Sequence, residues 1–257
     1  MDASIVDKLF KLQRQKYVFE DIIKTTYQAV LNHGDAVVDG GANVGDHTIS
    51  MSRCVGPEGL VIAFEPVPAT VEKLQKNIDA AGCSNTTIHT KALGAEPGRA
   101  NFVWVENRAT RSSLKTPNLT GDERVSTIDV DIVTLDDILL DQKRHVTFIK
   151  LDLEGGEFDC FRGARTTLAR HKPVVVFENG SAQTAGKFNY DKAEFFALFK
   201  SQNYTLIDLF GRPYGEDAWG ARNVPYYTFA VPSDGEIRYL VSNVADKAAA
   251  DIAQSDL

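Results

Sequence analysis

Residues 36 to 48 read AVVDGGANVGDHT, and this stretch decides how the chain folds. A short apolar run ends at Asp39, and three glycines follow within six positions. A glycine-rich turn between an apolar strand and a helix is typical of nucleotide sites in open α/β sheets. The stretch therefore predicts a ligand loop, and the residues around its glycines indicate which ligand.

Two phosphate-binding loops are excluded by the residue spacing. A P-loop closes with Gly-Lys-Ser or Gly-Lys-Thr, whereas Gly45 is followed by Asp46. The dinucleotide fingerprint needs G-x-G-x-x-G, which GGANVG does not provide, so an oxidoreductase is not favoured. Asp39 would repel a pyrophosphate and attract an ammonium group. The loop therefore favours a cationic nucleoside without phosphate, such as S-adenosylmethionine.

A second carboxylate supports this interpretation. The next apolar run, GLVIAFE, ends at Glu65, twenty positions after Gly45. An acidic residue at this place binds ribose hydroxyls in doubly wound nucleotide sites. Taken singly, Asp39 and Glu65 could equally be turn or helix-capping residues. Their combination with the glycine loop favours a nucleoside site.

Short β-branched runs alternate with helical patterns along most of the chain. The predicted strands are AVVD, GLVIAFE, TTIHTKAL, NFVWVEN, VSTIDVDIV, VTFIKLDL, PVVVFE, YTLIDLF and YYTFAV. Helices are predicted between them at about 45–55, 67–81, 157–170 and 191–201. This order predicts an α/β fold, a three-layer, doubly wound and mostly parallel sheet of the Rossmann-like type.

The ends of the chain have helical patterns. Apolar residues recur at three- and four-residue steps between residues 3 and 32. We therefore expect a helical extension or cap over 1–34, one domain over 35–235, and a helix or tail over 236–257.

The composition excludes several classes of protein. The 257 residues are 43% hydrophobic, carry a formal charge of −7 and contain no cluster of Lys and Arg, which argues against a nucleic-acid-binding face. The three cysteines are far apart and form no CxxC pair, so neither zinc nor a disulfide framework is indicated. No signal peptide or membrane span is recognisable. We expect a cytoplasmic protein without a membrane anchor.

Four segments carry a family resemblance. VVDGGANVGDHT, AFEPVPATVEKLQKNI, KALGAEPG and FIKLDLEGGEFDCFRGA, in that order, resemble the FkbM family of S-adenosylmethionine-dependent methyltransferases, over roughly residues 36 to 180. The resemblance implies a class I methyltransferase fold, with a seven-stranded sheet whose last strand is antiparallel. It also implies methyl transfer, mostly to hydroxyl oxygens of sugars and secondary metabolites.

The resemblance also implies where the cofactor binds. Asp39, Gly41, Asn43 and Gly45 would contact the methionine portion, Glu65 would bind the ribose, and Ala92 and Leu93 would lie near the adenine.

An alcohol is a weak acid, so methyl transfer to it needs a base, a metal ion or both. In VTFIKLDLEGGE, strand alternation predicts Lys150, Asp152 and Glu154 on one side, at the ligand edge of the sheet. These three are the candidate catalytic residues, and His47 is a weaker candidate. The alternative is an ion pair from Lys150 to Asp152 or Glu154 that only holds the Gly155-Gly156 turn.

A magnesium site is a further expectation. PVVVFENG places Glu178 and Asn179 after the neighbouring strand, where with Asp152 they would offer oxygen ligands to Mg²⁺. The layout, though not the motif, resembles that of catechol O-methyltransferase. A divalent ion would lower the pKa of the acceptor hydroxyl.

Two polar segments are candidates for acceptor contacts. Residues 108–124 include Arg108, Arg111, Ser112, Ser113 and Lys115 and could close over the ligands as a lid. Residues 210–223 carry the side chains of a sugar-facing wall, namely Arg212, Tyr214, Trp219 and Arg222. The alternative for both segments is a solvated loop.

Together these features predict an O-methyltransferase whose acceptor is a sugar or a glycosylated small molecule. The alternatives are N-methylation of a peptide or small amine, and a cofactor-binding module without activity.

Overall fold

The computed structural model describes residues 3–12, 15–108, 111–116 and 121–255. Its helices, in chain order, are α1 (Ala3–Lys11), α2 (Gln15–Val30), α3 (Asp46–Val55), α4 (Pro68–Ala81), α5 (Leu135–Ile138), α6 (Glu157–Arg162), α7 (Arg165–His171), α8 (Ser181–Ala185), α9 (Lys192–Ser201) and α10 (Ile237–Ser255). Its strands are β1 (Ala36–Gly40), β2 (Leu60–Phe64), β3 (Thr86–His89), β4 (Ala92–Leu93), β5 (Gly98–Val105), β6 (Val125–Val133), β7 (Val146–Leu151), β8 (Val174–Glu178), β9 (Tyr204–Asp208) and β10 (Tyr227–Pro232).

Seven strands of the described residues form one large sheet, in the order β3-β2-β1-β7-β8-β10-β9. All neighbours pair in parallel except β10, which runs antiparallel to both β8 and β9. This confirms the predicted α/β class and the antiparallel last strand of the class I methyltransferase fold. The strand order reverses between β1 and β7, and open α/β sheets bind ligands at such a switch point.

Helices cover both faces of the large sheet and make three layers. Val37 of β1 packs on one face with α2, α3 and α10, whereas Val38 packs on the other face with α6, α7 and α9. Successive side chains of a strand point to opposite faces, and both faces are covered here. This is why the strand sequences are almost continuously apolar.

A second, three-stranded sheet has the order β4-β6-β5. The strands predicted from NFVWVEN and VSTIDVDIV pair antiparallel as β5 and β6, with Gly98 opposite Ile132 and Val105 opposite Val125. The prediction of a single strand from TTIHTKAL is wrong. It divides after His89, because Ala92 and Leu93 leave the large sheet and pair with β6.

The helices at the two ends of the chain pack together on one face of the large sheet. Phe19, Ile22 and Tyr27 of α2 are fully buried in the same apolar cluster as Ala245 and Ala249 of α10. Small residues on α10 let the two helix backbones approach closely. Among the described residues, no helix combines the length and apolar character needed to cross a bilayer.

Candidate active site

A cavity of about 730 Å³ lies at the carboxyl ends of the parallel strands. Its walls come from the loops after β1, β2 and β7, from Glu178 at the end of β8, and from α2 and the start of β10. The volume is within the range of about 300–1,000 Å³ that is usual for small-molecule sites. This cavity is therefore the candidate active site.

The glycine loop after β1 forms the floor of the cavity. Gly41 has φ +75°, and a Cβ there would lie 2.0 Å from the backbone oxygen of Asp152. Gly45 also has a positive φ and is the N-cap residue of α3. Gly41 and Asn43 line the cavity as predicted, but Gly45 is not among the described lining residues, and its α-carbon faces Leu74 instead.

Asp39 is not among the described residues that line the cavity either, so its direct contact with the cofactor stays a prediction. It is fully buried beneath the loop, and one of its carboxylate oxygens accepts a hydrogen bond of 2.6 Å from the Thr48 hydroxyl. The other oxygen lies 3.5 Å from Nζ of Lys150. Alternation along β1 turns Asp39 to the same face as Val37, toward α3, where Thr48 and Lys150 contact it.

Glu65 lines the cavity at the end of β2. Its carboxylate accepts one hydrogen bond from the backbone N–H of Asn43 and one from that of Val67, both 3.1 Å long. Burial raises the pKa of Glu65 from 4.5 to about 7. Each carboxylate oxygen has a second lone pair, so the ionised side chain can still accept hydrogen bonds from a diol.

An apolar wall stands beside Glu65. Ala92, Leu93 and Phe102 line the cavity there and are buried. The first two are the residues that the resemblance placed near an adenine ring. Part of the predicted lid also borders this side.

The predicted lid contributes Arg111 and Ser112 to the cavity lining. The neighbouring Ser113 donates a hydrogen bond of 2.8 Å from its hydroxyl to the backbone oxygen of Glu154. Arg108 and Lys115 are described but are not among the lining residues. Residues 109–110 and 117–120 of the predicted lid lie outside the described residues.

Lys150 is buried between two carboxylates. Its Nζ lies 3.5 Å from Oδ1 of Asp39 and 3.7 Å from Oδ2 of Asp152. Burial by itself would lower the pKa of Lys150, but the carboxylates of Asp39 and Asp152 outweigh it, and the pKa is raised. Lys150 is therefore protonated at neutral pH, which excludes it as the base in this arrangement.

Three carboxylates of the cavity lining meet in one cluster. One oxygen each of Asp152, Glu154 and Glu178 lies within 4.8 Å of the others. Strand alternation does not bring Asp152 and Glu154 together, because β7 ends at Leu151. Glu154 lies in the turn after the strand and has a left-handed φ of 53°.

Glu157 holds that turn. Its Oε1 accepts hydrogen bonds of 2.6 Å from the backbone N–H of Leu153 and 3.3 Å from that of Gly155. Lys150 does pair with Asp152, but the Gly155-Gly156 turn is fixed by Glu157, a residue not predicted for this role. Burial raises the pKa of Glu157 to about 7.

The Asn179 side chain has hydrogen-bond partners within the protein, and its role as a metal ligand stays a prediction. Its amide donates a hydrogen bond of 3.1 Å to the Thr228 hydroxyl, and its carbonyl oxygen accepts one of 3.0 Å from the Ser181 N–H. The side chain is therefore engaged behind the sheet edge. Glu154 lies beside Asp152 and Glu178, where the sequence predicted Asn179.

The carboxylates of the cluster repel one another, and this repulsion affects the pKa of Glu178. Burial, followed by the neighbouring carboxylates of Asp152, Glu157 and Glu154, raises the pKa of Glu178 well above its usual value. The Tyr227 hydroxyl donates a hydrogen bond of 2.9 Å to Oδ2 of Asp152. Burial raises the pKa of Tyr227, so this phenol stays protonated and keeps donating.

Helix α2 supplies lining residues that the sequence did not reveal. Tyr17, Glu20, Asp21 and Lys24 all line the cavity. Their spacing of three and four residues places them on one face of a helix whose other face is buried. That polar stripe was the available signal, but it does not show which site it borders.

His47 lines the cavity at the start of α3, and its Nε2 contacts the carboxylate of Glu20. The weaker candidate base is thus paired with a residue from α2.

The predicted sugar-facing wall is wrong. None of residues 210–223 is among the described lining residues. Arg212 donates from Nε to Asp208 at 2.7 Å, and the Trp219 ring packs 4.9 Å from that of Phe195. Tyr226 and Tyr227, which follow this segment, line the cavity in its place.

The family model described as "Methyltransferase FkbM domain" matches residues 39–206, which is more than half of the chain. The loop after β1, Glu65 and the carboxylate cluster lie within the match. Helix α2 and β10, which close the acidic side of the cavity, lie outside it.

Two curated relatives and one solved structure are similar to the chain. "Methyltransferase 1" of Beauveria bassiana is 28% identical over 143 residues, covering 49% of this chain and 57% of that protein. "Hexuronic acid methyltransferase AglP" of Haloferax volcanii is 26% identical over 165 residues, covering 61% of each protein. The chain thus spans about three fifths of the length of both relatives. A methyltransferase FkbM structure from Methylobacillus flagellatus aligns with a TM-score of 0.49 and 19% identity, covering 79% of this chain and 47% of that one.

Proposed function

The chain belongs to the methyltransferase FkbM family, and on this premise we propose that it transfers a methyl group from S-adenosylmethionine to a hydroxyl group of a sugar or glycosylated small molecule. The observation that carries the proposal is one cavity that joins a glycine loop without a phosphate-binding lysine to an edge rich in carboxylates. Such a lining suits a sulfonium and an ammonium group and disfavours phosphates.

The cofactor would lie across the β1 loop toward β2. Gly41 and Asn43 would face its methionine portion, Glu65 would accept hydrogen bonds from the ribose, and Ala92 and Leu93 would pack on the adenine. Gly45 would act through the conformation of the loop. Asp39 would act through Lys150, by keeping that side chain protonated and fixed beneath the cofactor.

The acceptor would occupy the side bordered by α2, β8 and β10. The rings of Tyr17 and Tyr226 line this side, and aromatic rings and hydroxyl-binding carboxylates suit a sugar. The Haloferax volcanii relative is named for a hexuronic acid, which is compatible with a sugar acceptor here. A small molecule fits an enclosed acidic cavity better than a nucleic acid does.

We further propose that Asp152, Glu154 and Glu178 hold a divalent cation such as Mg²⁺. The donor set fits, because three carboxylates within 4.8 Å are the oxygen ligands that Mg²⁺ uses, and a cation would relieve the repulsion that raises the pKa of Glu178. When bound, the ion would lower the pKa of the acceptor hydroxyl. Tyr227 would keep Asp152 oriented by its hydrogen bond.

The proposed location is the cytoplasm, because Cys54, Cys83 and Cys160 are all free thiols, as is usual in a reducing compartment.

N-methylation of an amine is the second candidate. The acidic side chains at the acceptor side, among them Glu20, Asp21 and Glu178, favour a protonated amine as much as a metal ion. Analysis of the product by mass spectrometry and NMR separates the two, because an O-methyl ether and an N-methylamine differ in chemical shift.

The test measures S-adenosylhomocysteine binding by calorimetry, and then methyl transfer from radiolabelled S-adenosylmethionine to a panel of neutral sugars, amino sugars, hexuronic acids and simple amines. We expect cofactor binding and O-methylated product, with turnover lost in EDTA and restored by Mg²⁺. Absence of cofactor binding contradicts the whole proposal. Undiminished turnover in EDTA contradicts only the metal site.

A further inference from the structure

Resting on the proposed function, we propose that Glu20 of α2 is the general base that takes the proton of the acceptor hydroxyl, and that His47 is its positioning residue. Glu20 precedes the part of the chain that matches the family. It lies at the cavity because α2 packs on α10 and against α3 and β7.

The contact between the two side chains assigns their roles. His47 Nε2 contacts the Glu20 carboxylate, and 18% of the Glu20 side chain is exposed compared with 9% of His47. His47 Nδ1 is buried and has no hydrogen-bond partner among the described residues. One imidazole nitrogen is thus engaged and the other is shielded. Both side chains line the cavity, and the carboxylate is the more exposed of the two.

The other titratable groups of the cavity have different tasks. Lys150 is kept protonated by its two carboxylates. Asp152 accepts the Tyr227 hydrogen bond and lies beside Lys150. Glu65 stands on the β2 side and already accepts two backbone hydrogen bonds. Glu20 and Asp21 are the carboxylates that line the acceptor side from α2 outside the acidic cluster, and Glu20 is the one that contacts His47.

Titratable and charged groups from several elements surround Glu20. His47 faces it from α3, Lys150 from β7, and Tyr226 and Tyr227 from β10, while Asp21 and Lys24 share its own helix. Burial first, and then the Glu20 carboxylate, raise the pKa of Tyr226. This effect places the charge of Glu20 close to β10, where the acceptor would lie.

The chemical step balances without a further reactant. The acceptor oxygen forms a bond to the methyl carbon while the carbon–sulfur bond breaks, and that electron pair stays on sulfur as a neutral thioether. The hydroxyl proton passes to the Glu20 carboxylate and then to solvent. Proton transfer to a positioned group contributes typically 10²–10⁴-fold to a rate.

The experiment compares Glu20→Gln with Glu72→Gln, the same substitution at an exposed position of α4. Glutamine at position 20 can still hydrogen-bond to His47, so the fold is preserved, and the thermal midpoint checks this. Using the panel acceptor with the highest turnover, we expect kcat of Glu20→Gln to fall at least about a hundredfold. The acidic limb of its pH–rate profile should disappear, and S-adenosylhomocysteine affinity should stay within about twofold. Glu20→Asp should recover part of kcat, and Glu72→Gln should match the unmodified protein.

His47→Gln identifies which of the two residues is the base. A positioning role predicts that the acidic limb shifts in this variant but persists. If the limb disappears in His47→Gln and persists in Glu20→Gln, His47 is the base and the inference is overturned. Turnover of Glu20→Gln within twofold of the unmodified protein overturns it as well. If no acceptor is methylated although S-adenosylhomocysteine binds, the proposed function fails and this inference fails with it.

Discussion

Lys150 shows how strongly one buried charge organises the site. Its ammonium group lies between Asp39 on β1 and Asp152 after β7, the two strands at the switch point of the sheet. A buried ion pair that loses one partner leaves an uncompensated charge. Asp39, which looks like a ligand residue in the sequence, is in the structure the partner of a cation that lines the cavity.

Glu65 makes cofactor binding sensitive to pH. Its pKa is raised from 4.5 to about 7 because burial disfavours the ionised form. If the ionised carboxylate accepts hydrogen bonds from ribose hydroxyls, the cofactor binds the deprotonated protein more tightly. Affinity should then be nearly constant above pH 7 and fall by up to about tenfold per pH unit below it. Calorimetry with S-adenosylhomocysteine between about pH 5.5 and about pH 8.5 measures this slope.

Glu65→Gln is the control for this pH dependence. It should bind more weakly and show no slope below pH 7, since the amide does not titrate. A slope that persists in Glu65→Gln assigns the proton to another group, such as Glu157, whose pKa is also about 7.

At the scale of elements, the loop after β1 and the end of β7 lie so close together that no side chain fits at Gly41. The Asp152 N–H donates to the Gly40 oxygen at 3.0 Å, and the Gly41 α-carbon faces the Asp152 oxygen. One contact thus joins the cofactor loop to the carboxylate cluster. The relative position of the glycine loop and the carboxylate cluster therefore requires glycine at position 41.

Gly41→Ala and Gly34→Ala form a matched pair that tests this contact. Both glycines have a positive φ, +75° and +91°, but a Cβ at Gly34 would meet nothing within 4 Å. Gly34→Ala should cost only the backbone strain, about 1–2 kcal/mol. Gly41→Ala should cost about 3 kcal/mol or more because overpacking is added, and it should abolish S-adenosylhomocysteine binding. Urea unfolding and calorimetry measure both effects. Equal losses of stability in the two variants would show that the contact with Asp152 has no importance.

At the scale of the whole molecule, elements from distant parts of the chain line one side of the cavity. Helix α2 precedes the large sheet in the chain, β10 is its last strand, and α2 packs on α10 beside the sheet. The residues that would border the proposed acceptor are therefore held by packing between distant parts of the sequence. Loss of the first helices would affect both stability and the site.

A chain shortened to residues 35–257 tests whether the N-terminal helices are a separable extension. Phe19, Ile22 and Ile23 are fully buried, so their removal exposes apolar surface of the sheet and of α10. We expect loss of cooperative thermal unfolding and of S-adenosylhomocysteine binding, measured by circular dichroism and calorimetry. A shortened chain that unfolds cooperatively and binds with unchanged affinity would contradict this expectation.

The positions of the strands and of the β1 loop were predictable because they depend on local patterns. Apolar runs that end at Asp39 and Glu65 locate two strands and the loop between them. The meeting of Glu154 with Glu178 was not predictable in the same way, because it depends on a left-handed turn fixed by Glu157. Residues 210–223 were misinterpreted because exposed-looking Arg212 and Trp219 find partners inside the protein.

The sequence by itself determined the α/β order of the elements, the glycine loop and the carboxylate that follows the second strand. These features follow from residue spacing and hydrophobic periodicity, which are patterns within a few neighbouring residues. Only the tertiary structure decided that Asp39 faces Lys150 and that Glu20 joins His47 at the cavity. The physical reason is that the environment of a charge is set by whichever elements pack around it, and here those elements are far apart in the chain.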